Sequence, residues 1–288
     1  MTTPTAPGRT ISRTLDAAQY MTLLASHRAG QGEPLLLLHG IGSTRDDFSA
    51  LLPRLAENFD VLSLDLPGHG GSPAPEWPPT VAALTDAVEA DLDARGLERV
   101  HILGNSLGAR IGIELAARHR ARSVVAISPS GLGLPAERAH QGMLMATART
   151  LMRTLRPVLG SIASTQVGRT ALLTGMRARP WTASKTEALA MRGGFADSTG
   201  FWSMLWWAIL QDVPSGLDRV DCPVVLAQGA VDVVGAGQTP RYLPLIPGST
   251  FTLLPGAGHA PQSDTPDAIL ELVHRAAGRA HTPAVPLA

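Results

Sequence analysis

The chain has 288 residues, with 24 basic side chains against 24 acidic ones and 44% hydrophobic residues. That is too apolar for a disordered chain, and a net charge of zero gives no global field toward nucleic acid or an anionic membrane. One cysteine, Cys222, excludes an intramolecular disulfide framework or a multi-cysteine metal site.

The opening residues lack the apolar core of a signal peptide, and the uncharged stretch 242–263 is interrupted by Pro244, Pro247, Pro255 and Pro261. The expectation is a cytoplasmic globular protein with no integral membrane segment. Its length suffices for a large core.

Short apolar runs alternate with helical patterns through the first half. Residues 34–40 (PLLLLHG) read as a strand buried on both faces. Residues 45–57 place Phe48, Leu51, Leu52 and Leu55 on one helical face. A strand at 59–65, a Pro/Gly-rich loop at 67–79 and a helix at 80–96 closed by Gly96 follow. Strands at 99–104 and 123–128 flank a helix at 107–119. The rhythm predicts an α/β fold with a mostly parallel sheet covered by helices on both faces.

From Leu134 to Ser215 no strand is evident, only Ala-, Arg- and Met-rich helical stretches. Strands return at 222–229 and 249–258, and a helix at 265–278 ends the pattern. The predicted organisation is a core of 10–134 and 216–278, an inserted all-helical lid at 135–215, and loose termini at 1–9 and 279–288.

The strand at 99–104 runs into Gly104-Asn105-Ser106-Leu107-Gly108, which opens a helix. This is G-x-S-x-G in the strand–turn–helix setting of a nucleophilic serine. The glycines make room at a sharp, strained turn, and the helix N-terminus aims free N–H groups at the serine. In sheets of this kind the acid and then the histidine follow the nucleophile in chain order. Asp232 lies in the loop after the strand at 222–229, and His259 in the loop after the strand at 249–258. Taken singly, Asp232 could cap a turn and His259 could be a packed loop residue. Jointly they fall at the strand ends where catalytic groups gather. Backbone N–H groups of Ile41, in His39-Gly40-Ile41-Gly42, and of Leu107 are the candidate oxyanion donors.

These motifs resemble the α/β-hydrolase superfamily. LLLLHGIGST resembles its oxyanion loop, DLPGHGGS its D-x-P-G-x-G-x-S loop, GNSLGA its nucleophile elbow, QGAVDVV its acid loop and GAGHAPQSDTPDAI its histidine loop. The resemblance covers about 20–134 and 216–278, and the helical stretch falls where the family inserts a cap. Asp264 stands where Glu is common. No acidic residue follows the strand at 123–128, which favours Asp232 as the acid. A serine at 106 is unlike epoxide hydrolases and haloalkane dehalogenases, which use aspartate there.

The resemblance implies acyl transfer from Ser106 through His259 and Asp232, with no cofactor and no metal. The expected substrate is a small molecule, a carboxylic ester, thioester or lactone with a hydrophobic acyl group. The alternatives are a C–C hydrolase of the meta-cleavage-product type, whose GNSMG elbow Asn105 resembles, or a non-catalytic binding protein of the same fold. His39, His69 and Asp65 read as loop-shaping residues, and Cys222 as an inert core residue. The sequence carries no signal for oligomeric state.

Four of the five tryptophans and six of the eight methionines lie in the insertion. Trp202, Met204 and Trp206, in the apolar stretch 201–210, are the expected pocket side chains. Between Pro135 and Ser215 nine basic residues face four acidic ones, so a basic lid offsets an acidic core. Those charges either dock the lid or favour an anionic substrate.

Overall fold

In the computed structural model, which describes residues 23–280 apart from Ala236, the apolar runs become strands of one seven-stranded sheet, joined by a short polar edge strand, Ser26–Ala29, that the pattern does not predict. They are β1 (Ser26–Ala29), β2 (Glu33–Leu38), β3 (Phe59–Leu64), β4 (Val100–Asn105), β5 (Ala121–Ile127), β6 (Val224–Gly229) and β7 (Thr250–Leu254). Their order is β1-β3-β2-β4-β5-β6-β7. Only β1 runs antiparallel, against β3; every other pairing is parallel.

The four leucines of β2 show why the sheet must be covered twice. Leu36 and Leu38 enter one core, with Leu84 and Val88 of α2 (Val81–Ala94) and Ile111 and Leu115 of α3 (Leu107–Ala117). Leu35 and Leu37 enter the other, with Leu55 of α1 (Leu52–Leu55) and Ile269 and Val273 of α10 (Pro266–Ala280). A period of two sends alternate side chains to opposite faces. Each fully buried leucine stabilises the fold by roughly 2 kcal/mol.

Two expectations change in detail. The single helix expected at 45–57 is a 3-10 turn at Arg45–Phe48 followed by α1, because Pro53 suits a helix start rather than a helix interior. Phe48, Leu51 and Leu55 are nevertheless buried together. At the C-terminal end, 279 and 280 continue α10 rather than being loose. The remaining terminal residues, 1–9 and 281–288, lie outside the described residues, as do 10–22.

Between β5 and β6 the chain forms the helical insertion. Its helices are α4 (Pro135–Leu155), α5 (Leu159–Ile162), α6 (Gln166–Leu173), α7 (Lys185–Asp197) and α8 (Phe201–Met204), the last passing into a π-helical stretch at Leu205–Gln211. Met152, Leu159, Ala163, Leu172, Leu173, Ala183, Ala188 and Ala196 give the insertion a small core of its own.

Several of its arginines are engaged with protein groups. Arg138 donates to the carbonyls of Gly131, Gly133 and Leu210. Arg149 donates to those of Phe195 and Ser198 and lies 5.2 Å from the centre of the Phe201 ring. Arg156 pairs with Asp197 at 2.6 Å. The α9 segment (Pro261–Asp264) precedes α10 and receives two more insertion arginines, described below.

Among the described residues no helix is long and apolar enough to cross a membrane.

Candidate active site

Four loops leave the C-terminal ends of β2, β4, β6 and β7, and together they build the site. After β4, Ser106 sits at φ 55° and ψ −112°, a region costly for any residue but glycine, and α3 begins at the next residue. The sharp turn demands its glycines. A Cβ on Gly108 would lie 2.1 Å from the Leu38 carbonyl oxygen, and one on Gly104 would lie 2.6 Å from Ala109.

Behind the serine, Asp232 and His259 are both buried, and His259 Nδ1 lies 3.0 Å from each carboxylate oxygen of Asp232. Asp232 Oδ1 also accepts the N–H groups of Val234 and Gly235, each at 2.9 Å. Burial opposes charge on Asp232. The neighbouring His259 and the Gly235 N–H outweigh it and hold the carboxyl below its ordinary range. For His259, burial opposes the cation, while Asp232 and, more weakly, Asp47 favour it, and the balance lies above the ordinary histidine value.

The loop after β2 is set by two histidines. His39 Nε2 accepts the Leu66 N–H at 3.0 Å, and His69 Nε2 accepts the Gly42 N–H at 2.9 Å. Accepting at Nε2 leaves Nδ1 protonated, so His39 donates to the Gly40 carbonyl and His69 to the Pro67 carbonyl. Burial pushes His39 down to about 4 and His69 down to about 3, so both are neutral. Asp65 completes the frame, accepting the N–H groups of Arg45 at 2.8 Å and Gly71 at 2.9 Å and pairing with the Arg45 guanidinium. The Gly42 N–H is held by His69, and the neighbouring Ile41 lines the cavity described next. Leu107 is the first residue of α3, so its N–H lies outside the helix ladder.

Ser106 and His259 line one narrow cavity of about 70 Å³ together with Gly40, Ile41, Ser43, Asp47 and Asn105. Its remaining wall is apolar and mostly from the insertion: Leu144, Met145, Ala148, Met176 and Phe195, with Val234 from the acid loop. Gly42 is required here for the lid's sake. Its φ is +75°, and a Cβ would lie 2.2 Å from the Phe195 ring.

The expected pocket side chains Trp202, Met204 and Trp206 are a correction. None lines the cavity. Trp202 is 48% and Trp206 54% exposed, whereas Met204 is buried against Gly68 and Gly200. The stretch 201–210 buries only one of its sides. Phe201, Met204, Leu205, Ala208 and Ile209 form the buried stripe at helical spacing, and Trp202 and Trp206 fall outside it.

Asp47 is the functional candidate that sequence reasoning missed. It lies in the turn behind the oxyanion loop, and burial pushes its carboxyl up to about 6. Cys222 is buried, with its thiol pushed up to about 12.

A family model described as "Alpha/beta hydrolase family" matches residues 35–272. The chain belongs to the alpha/beta hydrolase family. It is 30% identical over 242 residues to a pimeloyl-[acyl-carrier protein] methyl ester esterase of Neisseria meningitidis serogroup C, covering 78% of this chain and 86% of that protein. It is 34% identical over 137 residues to a dihydrolipoyllysine-residue acetyltransferase component of an acetoin cleaving system of Cupriavidus necator. That match spans 46% of this chain and only 36% of that protein.

Among solved structures, the enol-lactonase of Burkholderia xenovorans LB400 superposes with a TM-score of 0.69 at 22% identity, over 88% of this chain and 95% of the other. A 2-hydroxy-6-oxo-6-phenylhexa-2,4-dienoate hydrolase of Rhodococcus sp. strain RHA1 gives 0.68 at 22%, over 87% and 92%. At that identity the likeness is one of fold. The alpha/beta hydrolase described here is a hydrolytic enzyme with a helical lid over a pocket suited to small hydrophobic substrates.

Proposed function

We propose that this hydrolase cleaves a carboxylic ester of a neutral, apolar acid through an acyl-enzyme on Ser106. The observation that carries the choice is the cavity wall. It holds five apolar lid side chains and, apart from His259, one ionisable group, the acid Asp47. Among the described residues no arginine or lysine lines it, so an anionic substrate would be desolvated there without a cationic partner. The basic lid residues described above are engaged with carbonyls and carboxylates, which supports docking rather than anion capture.

In this mechanism His259 takes the proton of Ser106 Oγ as the oxygen attacks the carbonyl carbon. Asp232 holds Nδ1–H and stabilises the imidazolium. The Ile41 and Leu107 N–H groups stabilise the oxyanion. Collapse expels the alcohol, which takes the proton from His259. Water then attacks the acyl-enzyme by the reverse roles, releasing the acid and free Ser106.

C–C hydrolysis is the second reading. The RHA1 dienoate hydrolase and two structures of the meta-cleavage product hydrolase CumD are among the similar folds, and Asn105 stands beside the serine in both readings. The test is a matched panel: neutral p-nitrophenyl esters, a carboxylate-bearing ester of equal size, and a phenylhexadienoate. Turnover of the neutral esters with discrimination against the carboxylate supports the proposal. Turnover of the dienoate alone replaces it with the C–C reading.

A further inference from the structure

Three backbone groups around His259 are each held by a different element. The Gly258 N–H donates to Asp264 Oδ2 at 2.9 Å. The His259 carbonyl accepts from Asn105 Nδ2 of the nucleophile elbow at 3.0 Å. The Ala260 N–H donates to the Met176 carbonyl of the lid at 2.9 Å.

The lid segment that supplies Met176 is itself bound to the same carboxylate. The Ala178 N–H donates to Asp264 Oδ2 at 2.8 Å, and Arg177 Nε reaches Oδ1 at 3.3 Å. Arg177 Nη2 donates to the Ser263 carbonyl at 2.9 Å, and Arg179 Nη2 to the Asp264 carbonyl at 2.8 Å. The Asp264 side chain is fully buried and that of Arg177 is 5% exposed. The approach leaves no slack. A Cβ on Gly258 would lie 2.7 Å from the Met176 carbonyl oxygen.

From this geometry we infer that Asp264 is a positioning residue for His259, and that the lid turn Met176–Arg179 takes part in holding the imidazole in register with Asp232. The inference rests on the proposed role of His259 as the base. One carboxylate, fixed by groups from the lid and from the histidine loop, ties the two together. A buried anion that accepts a guanidinium and two backbone N–H groups fixes their relative place far better than a neutral side chain could. The lid segment therefore contributes to kcat, not only to substrate affinity.

The test is steady-state kinetics of Asp264→Ala, Asp264→Glu and Arg177→Ala on a neutral p-nitrophenyl ester. Thermal melts establish the folded fraction. Displacing a catalytic group by about 1 Å costs on the order of 100-fold, so Asp264→Ala is expected to lose about that much kcat with KM little changed. Its acid limb of kcat/KM moves to lower pH, because His259 loses the contact with Asp232 that favours its cation. Asp264→Glu restores a large part of kcat.

Should Asp264→Ala not fold, Arg177→Ala carries the test, since it touches the carboxylate but does not line the cavity. A fall in kcat supports the inference; a raised KM at unchanged kcat overturns it and leaves the lid a binding element only. Wild-type turnover with unaltered kcat and pH profile in all three variants also overturns it. A wild type that turns over nothing and is not labelled at Ser106 refutes the underlying assignment of the site instead.

Discussion

Both carboxylate oxygens of Asp232 lie 3.0 Å from Nδ1 of His259, so the proton of the neutral ring is held on Nδ1 and the lone pair is left on Nε2, as the proposed mechanism requires of its base. An amide at 232 would present an N–H to that nitrogen and favour the opposite tautomer. Asp232→Asn is therefore expected to lower kcat by about 10⁴ while the protein stays folded. Stopped assays with matched melting curves check this, and a fully active variant would mean the acid has been misassigned.

Under the proposed mechanism, the raised affinity of His259 for a proton predicts the pH profile. The base works only when neutral, so kcat/KM rises with pH through an apparent value above the ordinary 6.5. The negative charge of Asp47 adds to that elevation, so Asp47→Asn shifts the acid limb to lower pH. An unmoved limb in a folded Asp47→Asn protein would separate Asp47 from the site's electrostatics.

His39 and His69 predict an acid-sensitive frame. Their folded values, about 4 and about 3, lie below the ordinary 6.5, so the unfolded chain binds protons that the folded one rejects. Stability is complete above 6.5 and falls as pH drops toward those values, by a few kcal/mol for each histidine at the lower end. His39→Gln keeps an acceptor for the Leu66 N–H but cannot titrate there. Its melting temperature is expected to fall less than the wild type's between pH 7 and pH 4. Parallel curves would show that His39 is not the titrating group.

The cavity's walls predict which lid side chains govern substrate size. Phe195 and Met145 line it, while Trp202 and Trp206 are exposed. Phe195→Ala is expected to raise kcat/KM for hexanoyl and longer esters relative to acetate. Trp202→Ala and Trp206→Ala leave the chain-length profile unchanged. A profile altered by the tryptophan variants alone would restore them to the pocket.

Much of the proposed site was legible because functional groups in a parallel sheet gather at strand ends, and strands buried on both faces announce themselves as apolar runs. Ser106, Asp232 and His259 could each be placed that way. The edge strand β1 could not: four residues, SHRA, with His27 and Arg28 exposed, carry no apolar pattern. The lid resisted for a different reason. Its helices present apolar side chains both to one another and to solvent, so composition named tryptophans where packing chose Phe195 and Met176. The role of Asp264 was equally hidden, because the residues it joins at 177 and 178 lie 86 or more positions earlier in the chain.

The central claim is that Ser106 forms a covalent acyl-enzyme. Intact-protein mass spectrometry after exposure to a fluorophosphonate, followed by peptide mapping, tests it directly. One adduct per chain on Ser106, absent from Ser106→Ala and suppressed in His259→Ala, is the expected result. An unmodified wild type, or an adduct that persists in Ser106→Ala, would contradict it.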